Sequence, residues 1–459
     1  MSVSASEAVL APSARGAAAD ILVQVEIRDA FADVLLDHAL TALIQDQRDR
    51  GLLTELVYGT LRWRARLDAE LRSLTRWPLD KTDAYLRNLL RLSLYQLRFL
   101  DKIPAYAIVS EAVALAKAAG SPSAGGFVNA VLRAALREKR ELSEPKPSEA
   151  NIVALAEYWS HPLWLTEKWT QTYGLPETIA LLKANNQPSP LVVRANLLKG
   201  TRQELLHFFA DYGVDAAPTR WSPQGIRLNS PSLVSRLPGF SSGRFQVQGE
   251  ASQLVTLLLD PKPGERVLDS CAAPGGKTTH IAELMGNTGE VRAADVSAVG
   301  LQRIAANANR LGLQSVVTLE ADFALIPPAM KAVQPYDRVL VDAPCSGLGT
   351  LRAHPEIKWR RRERDIVRLA RLQRHILQGA AALLKSGGVL VYSTCTLSRE
   401  ENENIIDHFL AGHQGFVLDD PARYLPLEAA ALTQSGYFLG LPHRHDTEGF
   451  FAARMRKVN

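Results

Sequence analysis

The chain has 459 residues, 46% of them hydrophobic, which is too long for one ordinary core and apolar enough to fill two or three. Its net charge of +5 is mild, compatible with a polyanionic partner without requiring one. Three widely spaced cysteines, Cys271, Cys345 and Cys395, exclude a disulfide framework and a clustered zinc site, so no metal is expected and a reducing cytoplasm is the natural setting.

In chain order, the first twenty residues are rich in Ala and Ser but lack the basic flank and continuous apolar core of a secretion signal. No later run reaches the roughly eighteen uninterrupted apolar residues of a spanning helix, so a soluble chain with no membrane attachment and no obligate protein partner is expected. From about Ala11 to Arg140 apolar residues recur at helical spacing, as in Leu86, Leu89, Leu90, Leu94 and Leu97, and predict an all-helical domain. Glu141 to Pro147, with two prolines, reads as a linker. Asn151 to about Gly243 mixes aromatic-rich helical pattern with short runs such as Leu191 to Asn196, a small α+β bridging region. The expected division is 1–145, 146–243 and 244–459.

From Phe245 onward, apolar strands end at acidic or small residues: Arg266 to Asp269, Glu290 to Asp295, Val316 to Glu320, Arg338 to Asp342 and Gly388 to Ser393. Amphipathic stretches alternate with them, which predicts a doubly wound α/β sheet with its ligand site beyond the carboxyl ends of the strands.

After the first of these strands comes Ser270-Cys271-Ala272-Ala273-Pro274-Gly275-Gly276-Lys277-Thr278, leading into a helix from about Thr279 to Met285. Small residues permit a tight turn and close approach to a ligand. Gly276-Lys277-Thr278 matches the end of a phosphate-binding loop, but the first glycine of that pattern falls on Cys271. The other choice is a nucleoside cofactor, favoured by acids after successive strands: Asp269, Asp295, Asp322 and Asp342. Asp295 suits the ribose hydroxyls, and Asp322 suits the adenine amino group. Each acid alone is as well explained as a strand-end cap, but four in succession are not.

Two of the cysteines follow strands in turns rich in Gly, Pro, Ser and Thr: Asp342-Ala343-Pro344-Cys345-Ser346-Gly347 and Tyr392-Ser393-Thr394-Cys395-Thr396. Both thiols should be exposed in one cleft, where backbone amides can stabilise a thiolate. C5 of cytosine is too weak a nucleophile to take a methyl group directly. A thiolate must first add to C6, an acid such as Asp342 near N3 can stabilise the charge that develops, and a base must later remove the C5 proton. Such chemistry gives two cysteines separate tasks without saying which attacks. Cys271 reads as buried filler.

Arg352, His354, Lys358 and Trp359, followed by Arg360 to Arg362, Arg364, Arg368, Arg371 and Arg374, mix basic groups with an indole close to Cys345. That mixture suits phosphate contact and base stacking, although about half of such arginines are expected to line a solvated helix face. Arg62 and Arg64, flanking Trp63, repeat the theme in the helical domain. His443 and His445 are too isolated for a metal site and read as an exposed loop.

Four segments, Asp269 to Thr278 (DSCAAPGGKT), Asp342 to Trp359 (DAPCSGLGTLRAHPEIKW), Tyr392 to Asn404 (YSTCTLSREENEN) and Asp446 to Lys457 (DTEGFFAARMRK), resemble the Fmu- or Sun-type bacterial 16S rRNA cytosine-5 methyltransferases. Leu56 to Trp63, Ile103 to Lys117 and Phe127 to Arg133 resemble their NusB-like RNA-binding domain, and Gln248 to Gln253 the lead-in to their catalytic domain. The resemblance covers nearly the whole chain. It implies a Rossmann-like methyltransferase fold, with S-adenosylmethionine held by Cys271, Ala272, Ala273, Pro274, Gly275, Gly276, Lys277, Asp295, Asp322 and Asp342. It further implies that Cys395 is the nucleophile, that Cys345 assists product release, and that the target is cytosine 967 of 16S rRNA. Ser270, Thr396 and Ala452 depart from the family pattern without removing a catalytic group. The competing readings are a P-loop nucleotide hydrolase and a non-catalytic RNA-binding protein.

Overall fold

A computed structural model describes residues 13–42, 44, 46–120, 122–138, 143–229, 234–325 and 335–458. The first two residues and the last two of the expected helical run, and residues 141–142 of the expected linker, lie outside this set. Among the described residues no helix is long and apolar enough to cross a membrane. The chain forms two compact units, one of residues 1–187 with Leu351–Arg361, the other of Pro188–Thr350 with Arg362–Asn459.

The first unit is helical. Ser13, Asp46 and Asp83 cap the helices Ala14–Arg28, Gln47–Arg62 and Ala84–Phe99 by accepting from first-turn amides. Leu89, Leu90 and Leu94 are buried in its core, with Leu86 and Leu97 packed at the margin, as their helical spacing predicts. Three further helices, Ile152–Tyr158, Leu163–Tyr173 and Leu175–Asn185, follow the linker.

The second unit opens with a four-stranded antiparallel sheet of β1 (Leu191–Ala195), β2 (Ala216–Pro218), β3 (Gly225–Leu228) and β4 (Phe245–Val247), in the order β2-β3-β1-β4. Helix Arg202–Asp211 adds Leu205 and Phe209 to the core of this sheet. A nine-stranded mixed sheet follows, built from β5 (Arg266–Asp269), β6 (Glu290–Asp295), β7 (Val316–Glu320), β8 (Tyr336–Asp342), β9 (Leu384–Thr394), β10 (Phe416–Leu418), β11 (Thr433–Gln434), β12 (Tyr437–Gly440) and β13 (Phe450–Lys457). Its order is β11-β12-β13-β9-β8-β5-β6-β7, with β10 beside β13. From β7 to β9 all pairings are parallel, while β13 joins β9 antiparallel.

Successive side chains of a strand point to opposite faces, and the central strands are apolar on both. Val339, Val341, Leu390 and Tyr392 belong to one core, with residues of helices Glu363–Ala381 and Glu403–Gly412. Leu340, Val389 and Val391 belong to the other, with residues of helices Glu250–Leu259 and Gly276–Leu284. A sheet covered on both faces reads as an unbroken apolar run, which is the pattern that foretold these strands. The expected doubly wound α/β architecture is therefore present, with an antiparallel edge added at β13.

A buried ion pair joins the small sheet to the helix that follows β5. Arg194 of β1 is fully buried and donates to Glu283 at 2.7 and 3.2 Å, to the Gly276 carbonyl at 2.9 Å and to Thr279 Oγ1 at 3.3 Å. Burial raises the Glu283 carboxyl and the Arg194 charge draws it back. Removing one partner would leave the other charge buried and unmatched. Glu283→Ala is therefore expected to cost roughly 3–5 kcal/mol, read as a lower urea midpoint with Glu283→Gln falling between the mutant and the parent.

Candidate active site

The site lies at the carboxyl ends of the parallel strands, and strand order decides which residues meet. β5 delivers Asp269 and the small-residue loop. Gly275, at φ 102°, adopts a backbone conformation suited to glycine, and a Cβ there would lie 3.1 Å from Ile304 Cγ1. The chain then enters helix Gly276–Leu284, three residues earlier than the sequence suggested, because Gly275 serves as its cap. Lys277 consequently lies in the first turn.

β8 and β9 are adjacent and parallel, with Asp342 opposite Ser393 in register. Strands so paired lie about 4.8 Å apart, so the turns that leave them emerge side by side. Asp342 Oδ2 accepts from Lys277 Nζ at 2.6 Å and its Oδ1 from Ser393 Oγ at 2.7 Å. Three residues past Asp342, Cys345 Sγ lies 3.1 Å from Cys395 Sγ. The thiols are half-buried rather than exposed, because each turn folds back under hydrogen bonds from its neighbours, such as Gly349 N to the Cys395 carbonyl at 2.9 Å.

The two thiols are unlike. The hydrogen bond from Cys345 holds the Cys395 thiol below its ordinary value, assisted by the Lys277 ammonium and opposed by burial and the charges of Asp342 and Glu401. The same shared proton, with burial, pushes Cys345 well up. Of the two, Cys395 is the thiol whose surroundings favour the thiolate. Cys271 is half-buried against the sheet core, and burial pushes its thiol up, so it stays protonated.

Asp295 Oδ2 accepts from Ala273 N at 3.0 Å and its Oδ1 from Ser297 N at 2.9 Å. This places its half-buried carboxylate against the small-residue loop with acceptor capacity left for hydroxyl donors. Asp322 Oδ1 accepts from Ala324 N at 2.8 Å in the turn after β7. Val296, directly after Asp295, is 65% exposed, an apolar surface at the strand end that the sequence reading did not single out. Asp269 is buried, accepts from Thr278 Oγ1 at 2.7 Å, and has its carboxyl pushed by burial to about 7.

This donor and acceptor set fits a nucleoside with a cationic sulfur. Asp269, Asp295 and Asp342 each accept from the loop or the helix it leads into, Asp322 lies in the turn after β7, and the loop's one lysine is already ion-paired to Asp342. A triphosphate would meet that negative field without a free ammonium, which disfavours a nucleotide hydrolase.

The expected RNA contacts need correction. Lys358 is completely buried, and its Nζ lies 3.2 Å from the Arg62 carbonyl, 3.1 Å from the Ser160 carbonyl and 2.7 Å from Asn186 Oδ1, while burial and the Arg62 charge push the group well down from its ordinary value. Arg62 is also buried and donates to the Arg352 carbonyl at 2.9 Å. Trp359 donates its indole N–H to the Leu61 carbonyl at 2.7 Å, and Arg64 pairs with Glu26 at 3.0 Å while lying over the Trp359 ring. Lys358 and Arg62 are therefore buried inside the helical unit and do not present a phosphate-binding face, while Arg64 and Trp359 are half-buried there with polar groups already engaged. Arg352 and His354 are half-buried in the same unit. Closeness to Cys345 in sequence misled here, because Leu351–Arg361 packs with the helices. Arg364, Arg368 and Arg371 do lie exposed along helix Glu363–Ala381. His445 accepts from Leu441 N at 3.0 Å and packs edge-on to Trp221, in a short helix rather than a free loop.

The carboxylates and the paired lysine yield a binding test: calorimetry should detect S-adenosylmethionine binding and no binding of magnesium-ATP. Tight ATP binding would overturn this account of the loop. The thiol pair yields another. Alkylation follows the thiolate, so the pH midpoint for iodoacetamide modification of Cys395 should lie below 9 and rise in Cys345→Ala, as followed by mass spectrometry.

Comparison with known proteins adds an independent line. Residues 256–456 match the family model described as 16S rRNA methyltransferase RsmB/F, residues 12–137 match the NusB family, and residues 161–235 match the ferredoxin-like domain of RsmF/B-like methyltransferases. A relative from Synechocystis sp., named "Probable ribosomal RNA small subunit methyltransferase B", is 40% identical over 97% of this chain and 100% of its own. The crystal structure of PH0851 superposes with a TM-score of 0.81 at 29% identity, covering 98% of this chain and 99% of that one. NSun6 from Pyrococcus horikoshii, solved with SFG, gives a TM-score of 0.57 at 26% identity over 65% of this chain and 98% of its own. From its NusB-like helical front through its ferredoxin-like region to its Rossmann-like sheet, the chain belongs to the RsmB/F family of S-adenosylmethionine-dependent rRNA methyltransferases.

Proposed function

We propose that this chain methylates C5 of a cytosine in 16S rRNA, at position 967, through a covalent bond between Cys395 and C6 of the base. The observation that carries the reading is the 3.1 Å contact between Cys345 and Cys395, at the ends of adjacent strands and beside the Asp342–Lys277 pair. The resemblance set out from the sequence agrees with the asymmetry of the two thiols.

Asp295 would hold the ribose of S-adenosylmethionine, Asp322 its adenine amino group, and the loop Cys271–Lys277 would line the cofactor. When bound, the cofactor supplies an electrophilic methyl group. The Cys395 thiolate adds to C6, which makes C5 an enamine carbon able to accept that methyl. Asp342, hydrogen-bonded to the Lys277 ammonium, would relay one of its protons to N3 as the thiolate adds, stabilising the ring, and take it back when the thiolate leaves. Once the Cys345 thiol has lost its proton to water, its thiolate takes the C5 proton, the C5–C6 double bond re-forms, and the Cys395–C6 bond breaks with its electron pair returning to the Cys395 sulfur. Cys345, in contact with the departing sulfur, assists this release. Exposed Arg364, Arg368 and Arg371 suit contact with the RNA backbone, a role reassigned from the buried Lys358 and Arg62.

Cys395→Ala should abolish methylation. Cys345→Ala should accumulate an enzyme–RNA adduct that survives denaturing electrophoresis, and the opposite pattern would exchange the two roles. Bisulfite mapping of 16S rRNA from a deletion strain should show one unmodified cytosine, at position 967.

A further inference from the structure

Glu401 is a fully buried carboxylate in the turn after β9, and the reaction described above gives it no task. Its Oε1 accepts from Ser346 N at 2.8 Å and from Gln373 Nε2 at 3.0 Å. Its Oε2 accepts from Ser346 Oγ at 2.5 Å and, more loosely, from Thr396 Oγ1 at 3.4 Å. Thr396 Oγ1 and Ser346 Oγ are themselves 2.7 Å apart. Since Ser346 gives its hydroxyl proton to the carboxylate, the single Thr396 hydroxyl proton is shared between Ser346 Oγ, the nearer acceptor, and Oε2.

These partners are placed in an informative way. Ser346 directly follows Cys345, and Thr396 directly follows Cys395. Gln373, from helix Glu363–Ala381, also donates to the Pro344 carbonyl at 3.0 Å, on the other side of Cys345. The Glu401 turn is itself tied to β9: Tyr392 Oη donates to the Glu401 carbonyl at 2.7 Å, and Asn402 donates to the Thr396 carbonyl at 3.0 Å. A carboxylate held by hydroxyls, an amide side chain and a backbone N–H is a costly way to fill a core. Its negative charge also works against the thiolate, since it raises both Cys345 and Cys395. An apolar side chain would fill the space at lower cost but could not hold two turns at once.

We propose that Glu401 is a positioning residue that clamps the two cysteine turns together and sets the contact between Cys345 and Cys395. The proposal rests on the two-cysteine reading of the reaction only for its kinetic consequence; the clamp itself can be read from thiol chemistry without RNA.

The test compares the full-length parent with Glu401→Ala, Glu401→Gln and Ser346→Ala. Glu401→Ala frees both turns, so the alkylation midpoint of Cys395 should move up as it does in Cys345→Ala. Methylation should fall roughly hundredfold, as expected for misplacement of reacting groups by about 1 Å, and the covalent adduct should accumulate. Glu401→Gln keeps the shape and removes the opposing charge, so its Cys395 midpoint should stay at or below that of the parent and much of the activity should return. Ser346→Ala should follow Glu401→Ala with a smaller effect. Calorimetry with S-adenosylmethionine and the melting temperature report the fold. A folded Glu401→Ala with the parent's alkylation profile and adduct level would overturn the clamp. Should that variant not fold, a folded Ser346→Ala with the parent's alkylation profile and adduct level would overturn it instead. A parent that never methylates RNA, yet whose thiol profile depends on Glu401, would overturn the proposed function and leave the clamp standing.

Discussion

The parallel pairing of β8 with β9 is the constraint on which the rest of the site depends. Because Asp342 faces Ser393 across that pair, the turns leaving both strands start level, and the cysteine in each turn sits three or two residues past the pairing. A one-residue slip would turn every side chain of a strand to the other face of the sheet. It would take Asp342 out of line with Ser393 and shift Cys345 relative to Cys395. Val339 and Val341 pack in one helical layer and Leu340 in the other, so the strand that leads to Asp342 is held from both faces.

Around that register the charges form a chain of dependence. Lys277, brought by the helix after β5, neutralises Asp342 and lies near enough to Cys395 to favour its thiolate. Arg194, from the small sheet, grips the carbonyl of Gly276, the residue before Lys277, along with Glu283 on the same helix. The small sheet is thus tied to the start of the helix that carries Lys277.

Much of the sheet was legible in the sequence, and so were the residues at its edge. Apolar runs ending at Asp269, Asp295 and Asp342 located the strands, and two cysteines in small-residue turns marked a common cleft. What stayed hidden depended on partners far away in sequence. Glu401 lies in a run of acids with Glu400 and Glu403, and no local pattern separates the buried carboxylate from its more exposed neighbours. Lys358 and Arg62 looked like RNA ligands because basic residues beside a tryptophan suit phosphate and base. Only the fold reveals that Lys358 Nζ meets three oxygens of the helical unit. Val296 offered no signal beyond being an apolar residue just after a strand.

The eleven residues Leu351–Arg361, which belong to the helical unit although catalytic segments flank them in sequence, bear on how such a protein can be dissected or recombined. A fragment beginning at Pro188 would contain every proposed catalytic residue and every strand among the described residues. It would also contain Lys358 and Trp359 without the carbonyls of Arg62, Ser160 and Leu61 that now receive their protons. A segment tailored to a missing neighbour would have to find water or new partners. The helical front is therefore woven into the catalytic chain instead of merely preceding it, and exchange of that front between relatives would succeed only if this short insert travelled with it.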